Sequence, residues 1–381
     1  MDQERIWRVL CRLLGPAIRK YMGLDMEPLP EGGPYLIICN HVTNLDPVML
    51  ALASPGKAIT YVASENILRL RPRLRAVLFG AFSLIARRKG ASGAAAALST
   101  VRALRKGKNV CIFAEGETSW NGLTGKIHPG TAPMIKASGS ALVTYRIHGG
   151  YFTFPRWADG LRRGKVRGMV AGIHSAEELG GMDTDEITAL VEREISEDAF
   201  AAQKKERVPY RSKKRAESLS SLLFLCPRCR AVGTLRGKGS HILCSCGLDV
   251  SLDECLLPRG DSPFGDLCEW DRWQSETFIG MLSRNPDMAL KEEGEDYRLY
   301  EVLPGNIPAL RAMGSLGADG RALWIGRSSF SYSGIREMAL MQKTKLAFSC
   351  GDRYYEIHSP RPLCLHKYLY RWQLLSSGDG E

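Results

Sequence analysis

At 381 residues and 42.2 kDa the chain is too long for one ordinary core and predicts two or three domains. Its 44% hydrophobic and 24% charged residues are globular values that exclude a disordered chain, and its net charge of +11 excludes an acidic one. No uninterrupted apolar run reaches the ~18 residues a spanning helix needs, and no secretory leader is visible, so a cytoplasmic chain that does not cross a membrane is expected.

Residues 4–22 place Ile6, Leu10, Leu13, Leu14 and Ile18 at helical spacing, with Arg5, Arg8, Arg12, Arg19 and Lys20 over much of the remaining surface. Such a basic amphipathic helix is either an interfacial membrane anchor or a helix packed on its own domain. Pro16 is expected to bend or split it. The run Tyr35–Cys39 reads as a buried strand. It leads directly into Asn40-His41-Val42-Thr43-Asn44-Leu45-Asp46-Pro47, with an imidazole and a carboxylate five positions apart. A helix follows over 47–53, a strand over 58–64, a helix over 72–80 and an extended segment over 82–87. Within this stretch Arg69, Arg71, Arg73 and Arg75 alternate with Leu68, Leu70 and Leu74, either as a snorkelling bilayer-facing loop or as an ordinary solvated one. An Ala-rich helix over 91–106 precedes a strand over 108–113 that ends in Ala114-Glu115-Gly116. Then come a helix over 130–138, strands over 141–148 and 165–174, and one charged amphipathic helix over 183–205.

This alternation predicts an α/β fold, a largely parallel sheet flanked by helices. Ligands gather at the carboxyl ends of such strands, so the His41 and Glu115 loops can converge although far apart in sequence. A His after a strand with an Asp one short turn later is the arrangement of a general base held and polarised by a carboxylate.

Four blocks in order over residues 35–145 resemble the glycerolipid acyltransferase family, the 1-acylglycerol-3-phosphate acyltransferase-like enzymes. The family's N-H-x-S-x-x-D is met by Asn40, His41, Thr43 and Asp46, with Thr for Ser. An apolar block ending in Arg is met by Phe82-Ser83-Leu84-Ile85-Ala86-Arg87. F-P-E-G-x-R-S is met by Phe113, Glu115, Gly116 and Ser119, with Ala114 for the proline and Thr118 where the arginine should be. The fourth, apolar block is Ala141-Leu142-Val143-Thr144-Tyr145. The resemblance implies transfer of an acyl group from acyl-CoA or acyl-carrier protein to a lysophospholipid hydroxyl. His41 would be the general base, oriented by Asp46. Arg87, Glu115, Gly116, Thr118 and Ser119 would line the acceptor site. The missing phosphate-binding arginine would be replaced by Arg87, Arg146 or Lys126. Glu197-Asp198-Ala199-Phe200, Tyr210-Arg211 and the segment after them look like a bacterial branch of the family with a zinc ribbon and a further C-terminal domain. The enzyme would act in phospholipid synthesis, attached peripherally to the cytoplasmic membrane face.

The run from Arg207 to Arg215 reads as a basic hinge. Beyond it, Cys226-Pro-Arg-Cys229 and Cys244-Ser-Cys246-Gly247 can place four thiolates around a structural Zn, with His241 as an alternative ligand. The remaining Cys lack ligand spacing, and Cys39 and Cys111 read as reduced core residues. Residues 265–381 carry short apolar runs at 297–302, 322–326, 329–332, 346–349 and 354–358 and close on a helix over 366–375, resembling a pleckstrin-homology-like module. The expected domains are thus an N-terminal helix (1–25), an acyltransferase domain (26–215), a zinc ribbon (222–255) and a β-rich domain (265–381).

Charge placement weighs on the rivals. Residues 1–215 hold 33 Lys+Arg against 20 Asp+Glu, and the remainder 19 against 21. A basic first part suits lipid head groups or acyl-CoA phosphates. A ribbon-bearing part that is nearly neutral argues against a nucleic-acid-binding protein, so no nucleic acid is expected as a partner. A non-catalytic lipid-binding scaffold is the other alternative.

Overall fold

Leu36, Ile37, Ile38 and Cys39 are wholly buried, as a continuous apolar run in a central strand must be. They form β2 (Tyr35–Cys39) of a seven-stranded sheet in a computed structural model that describes residues 3–64, 83–87 and 94–376. The predicted helix over 72–80 and the row of arginines at 69–75 lie outside the described residues. The chain divides into two compact units, Met1–Arg156 with Gly160–Ser212, and Trp157–Asp159 with Lys213–Glu381.

In the first unit the remaining strands are β1 (Leu24–Met26), β3 (Ile59–Ser64), β4 (Ser83–Arg87), β5 (Asn109–Phe113), β6 (Ala141–His148) and β7 (Val166–His174). Their order is β1-β7-β6-β2-β5-β3-β4. The pairs from β6 to β4 are all parallel, and only the β6–β7 pair is antiparallel. The sheet is therefore largely parallel, as expected. Alternate residues Leu36, Ile38, Val110 and Leu142 pack into one core cluster with Leu104, Ile135, Ile187, Leu190 and Val191 from helices. β2 lies between β5 and β6, with Cys39 opposite Phe113 on one side and Tyr145 on the other. The loops after β2 and β5 thus emerge side by side.

The first helix, α1 (Gln3–Met22), runs through Pro16 as one element rather than two. The residue before the proline is Gly15, which has no Cβ to crowd the ring. The predicted helix over 183–205 is two helices, one at Thr184–Ile195 and one at Ala199–Glu206. Between them Ser196 is extended, and Glu197 leaves the helix to exchange backbone bonds with Thr124: its N–H donates to Thr124 Oγ1 at 2.8 Å and its carbonyl accepts from Thr124 N at 3.0 Å. Asp198 then caps the second helix by accepting from Ala201 N.

The second unit holds three antiparallel sheets. A small one joins β8 (Arg236–Lys238), β9 (His241–Leu243), β10 (Asp249–Leu252) and β11 (Pro258–Gly260). A four-stranded sheet joins β12 (Leu290–Lys291), β15 (Leu316–Ala318), β16 (Ala322–Ile325) and β17 (Ser328–Ser331). A five-stranded sheet has the order β14-β13-β20-β19-β18, from Ile307–Gly314, Tyr297–Leu303, Arg353–His358, Lys345–Cys350 and Ile335–Met341. A helix at Leu267–Arg284 precedes these two sheets and another at His366–Ser376 follows them.

Candidate active site

The polypeptide leaves β2 at Asn40, whose side chain continues the sheet in place of backbone. Asn40 Oδ1 accepts from Ile147 N at 2.7 Å and Nδ2 donates to Ile147 O at 2.9 Å, so β6 is satisfied while the main chain turns away. That turn carries His41 past the carboxyl end of β2. Helix α2 (Asp46–Leu52) begins five residues on, with Pro47 in its first turn and Asp46 at its positive end.

His41 Nδ1 lies 2.8 Å from Asp46 Oδ2. The same oxygen accepts from Val42 N at 2.7 Å and Thr43 N at 2.9 Å. An ionised carboxylate only accepts, so Nδ1 carries the proton and the ring's lone pair lies on Nε2. Asp46 is wholly buried, and burial pushes its carboxyl above the usual range while His41 and the two N–H donors pull it back. The imidazole is 17% exposed and stacks on Phe113 with centroids 4.2 Å apart, and Phe113 in turn stacks on Tyr61. The ring is thus fixed on one nitrogen and one face.

Glu115 joins the two loops. Its Oε1 accepts from His41 N and its Oε2 from Gly125 N, both at 2.6 Å. Gly116, at φ +73°, makes the tight turn after β5 that an L side chain would strain. Ser119 N donates to His41 O at 2.8 Å, so His41 is held at both backbone polar groups by the neighbouring loop. Ser119 Oγ accepts from Gly122 N at 2.9 Å and is buried, a turn-closing hydroxyl. Thr118 is buried as well. Burial pushes the Glu115 carboxyl up to about 7 against the pull of the Gly125 and His41 amides. A pKa raised on folding from 4.5 to about 7 gives stability that is complete below pH 4.5 and lost as pH rises through 7. The Tm advantage of the wild type over Glu115→Ala should therefore shrink between those limits. A difference that does not vary with pH would contradict this ionisation.

The expected site residues do not all converge. His41, Asp46, Glu115, Gly116, Thr118 and Ser119 share two adjacent loops. The backbone of Arg87 closes β4, two places from β5 in the sheet. Arg146 turns to the other strand pair, with Nη1 on Ser196 O at 3.4 Å and Nη2 near Met169 Sδ. Lys126 is exposed, next to Gly125. A cation that the sequence gave no reason to single out is Arg156. Its Nη1 donates to Glu117 Oε2 at 2.9 Å and approaches Thr118 O at 3.4 Å, and its guanidinium lies 4.4 Å from the Trp120 ring centroid.

In the second unit Cys226, Cys229, Cys244 and Cys246 bring their sulfurs within 4.8 Å of one another. Cys226 and Cys246 are 3.6 Å apart, and Cys229 and Cys244 3.8 Å. A tetrahedron with Zn–S of about 2.3 Å has edges of about 3.8 Å, so the donor set fits a metal ion. Thr234 Oγ1, 3.2 Å from Cys244 Sγ, can support a thiolate. His241 is not a ligand here: its Nδ1 pairs with Asp249 Oδ1 at 2.7 Å in an exposed position.

Residues 24–148 match the family model described as Acyltransferase. The crystal structure of the 1-acyl-sn-glycerophosphate (LPA) acyltransferase PlsC from Thermotoga maritima aligns with a TM-score of 0.43 and 16% identity, covering 54% of this chain and 80% of that one. No curated protein sequence matches. The matched span runs from β1 to the end of β6 and contains both the His41 and the Glu115 loops. Over residues 24–148, therefore, this chain is similar to the Acyltransferase family.

Proposed function

We propose that the first unit transfers a fatty acyl group from acyl-CoA or acyl-carrier protein to the hydroxyl of a lysophospholipid such as 1-acylglycerol-3-phosphate. The observation that carries this reading is the His41–Asp46 pair, held by the bond between them, by three backbone N–H donors and by the Glu115 carboxyl that accepts from His41 N. His41 Nε2 takes the proton of the acceptor hydroxyl as its oxygen attacks the thioester carbonyl. The tetrahedral adduct collapses, the C–S bond breaks, and the proton passes from Nε2 to the leaving thiolate. No covalent enzyme intermediate is needed. Asp46 fixes the tautomer and offsets the imidazolium charge, while Glu115 positions the His41 backbone. Gly116, Thr118 and Ser119 shape the acceptor side. A scaffold that had lost activity would have no need of this constellation. Turnover of oleoyl-CoA or acyl-carrier-protein thioesters against a panel of lysolipids tests the reading. Lipid binding without turnover for any pair would replace it with the scaffold.

We propose also that the protein meets its substrates at a membrane surface through α1. No helix among the described residues is long and apolar enough to cross a membrane. One side of α1 is committed to the domain: Trp7 Nε1 donates to Ser54 O at 3.1 Å and Arg19 Nη2 to Leu52 O at 2.6 Å. Val9, Leu13 and Leu14 are nonetheless exposed along the helix, with Arg5, Arg8, Arg12 and Lys20 also at the surface. Exposed apolar and basic groups on one helix suit an anionic interface. Burying one Leu is worth about 1.5–3 kcal/mol, so Leu13→Asp/Leu14→Asp should weaken binding to anionic vesicles at least about tenfold. Both positions are exposed, so Tm should change little. Unaltered vesicle binding would remove α1 from the interface.

The four-Cys cluster is proposed to hold a structural Zn. Four thiolates close the coordination sphere and leave no open position for chemistry.

A further inference from the structure

The loop after β5 reads Glu115-Gly116-Glu117-Thr118-Ser119-Trp120 and supplies two carboxyls and no cation. An anionic acceptor approaching His41 would meet no cation from it. The fold brings the missing charge from beyond the matched span. Arg156 follows a one-turn helix at Gly150–Thr153, and its side chain is 8% exposed. It is held on three sides: Trp120 under the guanidinium, Glu117 Oε2 on Nη1, and the Thr118 carbonyl within 3.4 Å of the same nitrogen. Thr118 is one residue from Ser119, whose N–H donates to the carbonyl of His41. The guanidinium and the base are therefore anchored to the same few residues of backbone.

We propose that Arg156 selects the acyl acceptor by its charge, binding the phosphate of a lysophospholipid, with Glu117 occupying the guanidinium until the acceptor arrives. This rests on the acyl-transfer reading above. A guanidinium stacked on an indole has already lost much of its side-chain freedom and presents its N–H groups in a fixed plane, the geometry that suits phosphate. Glu117 is 39% exposed and can swing into solvent. A phosphate monoester carries about −1.5 to −2 charges against one for the carboxylate, so it displaces Glu117 with a net electrostatic gain. Arg156 touches the acceptor and not the reacting atoms, so it governs acceptor affinity and choice.

The test uses the full chain with oleoyl-CoA and two acceptors in the same mixed micelles, 1-acylglycerol-3-phosphate and uncharged 1-acylglycerol. For Arg156→Gln the ratio of kcat/KM values, phosphate acceptor over neutral acceptor, should fall at least tenfold, chiefly through KM. Arg156→Lys should recover part of that loss, because it keeps the charge without the fork. Glu117→Gln should lower KM for the phosphate acceptor several-fold, since the competitor is gone. An active wild type whose acceptor ratio is unmoved by Arg156→Gln overturns the inference and leaves acyl transfer standing. A wild type with no turnover on either acceptor overturns acyl transfer instead. Arg156 is then judged by equilibrium binding of 1-acylglycerol-3-phosphate, where equal Kd values for wild type and Arg156→Gln dismiss it.

Discussion

Replacing His41 by alanine should lower kcat for acyl transfer by at least about a thousandfold, with KM for the lysolipid changing far less. A positioned general base contributes about 10²–10⁴ in rate, and here the ring also stands against the attacking oxygen, so its loss removes both proton acceptor and alignment. Asp46→Asn is the sharper variant. Asparagine can set its Oδ1 where Asp46 Oδ2 now accepts from His41 Nδ1, Val42 N and Thr43 N, so the loop keeps its shape. What disappears is the charge that offsets the imidazolium in the transition state. A fall in kcat of about a hundredfold or more with Tm nearly kept is expected, because the loss is electrostatic. His41→Ala does affect stability: it leaves the buried Asp46 carboxylate one donor short, at a cost of about 1–3 kcal/mol. Residual turnover within tenfold of wild type in His41→Ala would mean that another group takes the proton.

The second large effect is expected at the four thiols. The strands that follow and separate them are only three or four residues long, and ladders this short add little stability alone. Structural Zn in small domains is worth about 10–16 kcal/mol of apparent free energy at neutral pH, far above what these strands provide. The protein as purified should carry one Zn per chain. Cys226→Ser, or chelation, should release it and collapse amide-exchange protection across residues 226–260. Zn far below stoichiometry together with unchanged protection in Cys226→Ser would show that the four sulfurs are reduced thiols packed in two turns.

Much of this molecule was legible because some segments carry one dominant signal. Tyr35–Cys39 and residues 110–113 are continuous apolar runs, and such runs have few places to go but a sheet covered on both faces. The His41–Asp46 spacing was readable since both groups lie on one turn. Long-range partnerships were not. Glu115 bonds the amide of a residue 74 positions away, and Arg156 reaches Thr118 across 38. Nothing local marks either link, and the sequence points instead to Arg87, Arg146 and Lys126 as candidate cations. The strands at Ile307–Gly314 and Ile335–Met341 were missed because Ala, Leu, Met, Arg and Glu dominate them, residues that favour helix in isolation. Ladder partners overrule that preference: Met338, Ala339 and Leu340 lie opposite Phe348, Ala347 and Leu346.

The clamp on His41 is made by the Ser119 amide and the Glu115 carboxylate, and the side chains at positions 114 and 118 take no part in it. Any residue short of proline at 119 supplies that amide. The constraint on the loop is therefore on its path more than on its lettering. The Thr118 side chain can change without disturbing that clamp. A lineage could in this way exchange one head group for another by altering the loop's side chains and the arginine that leans on them, while the proton-transfer chemistry stayed intact throughout the change.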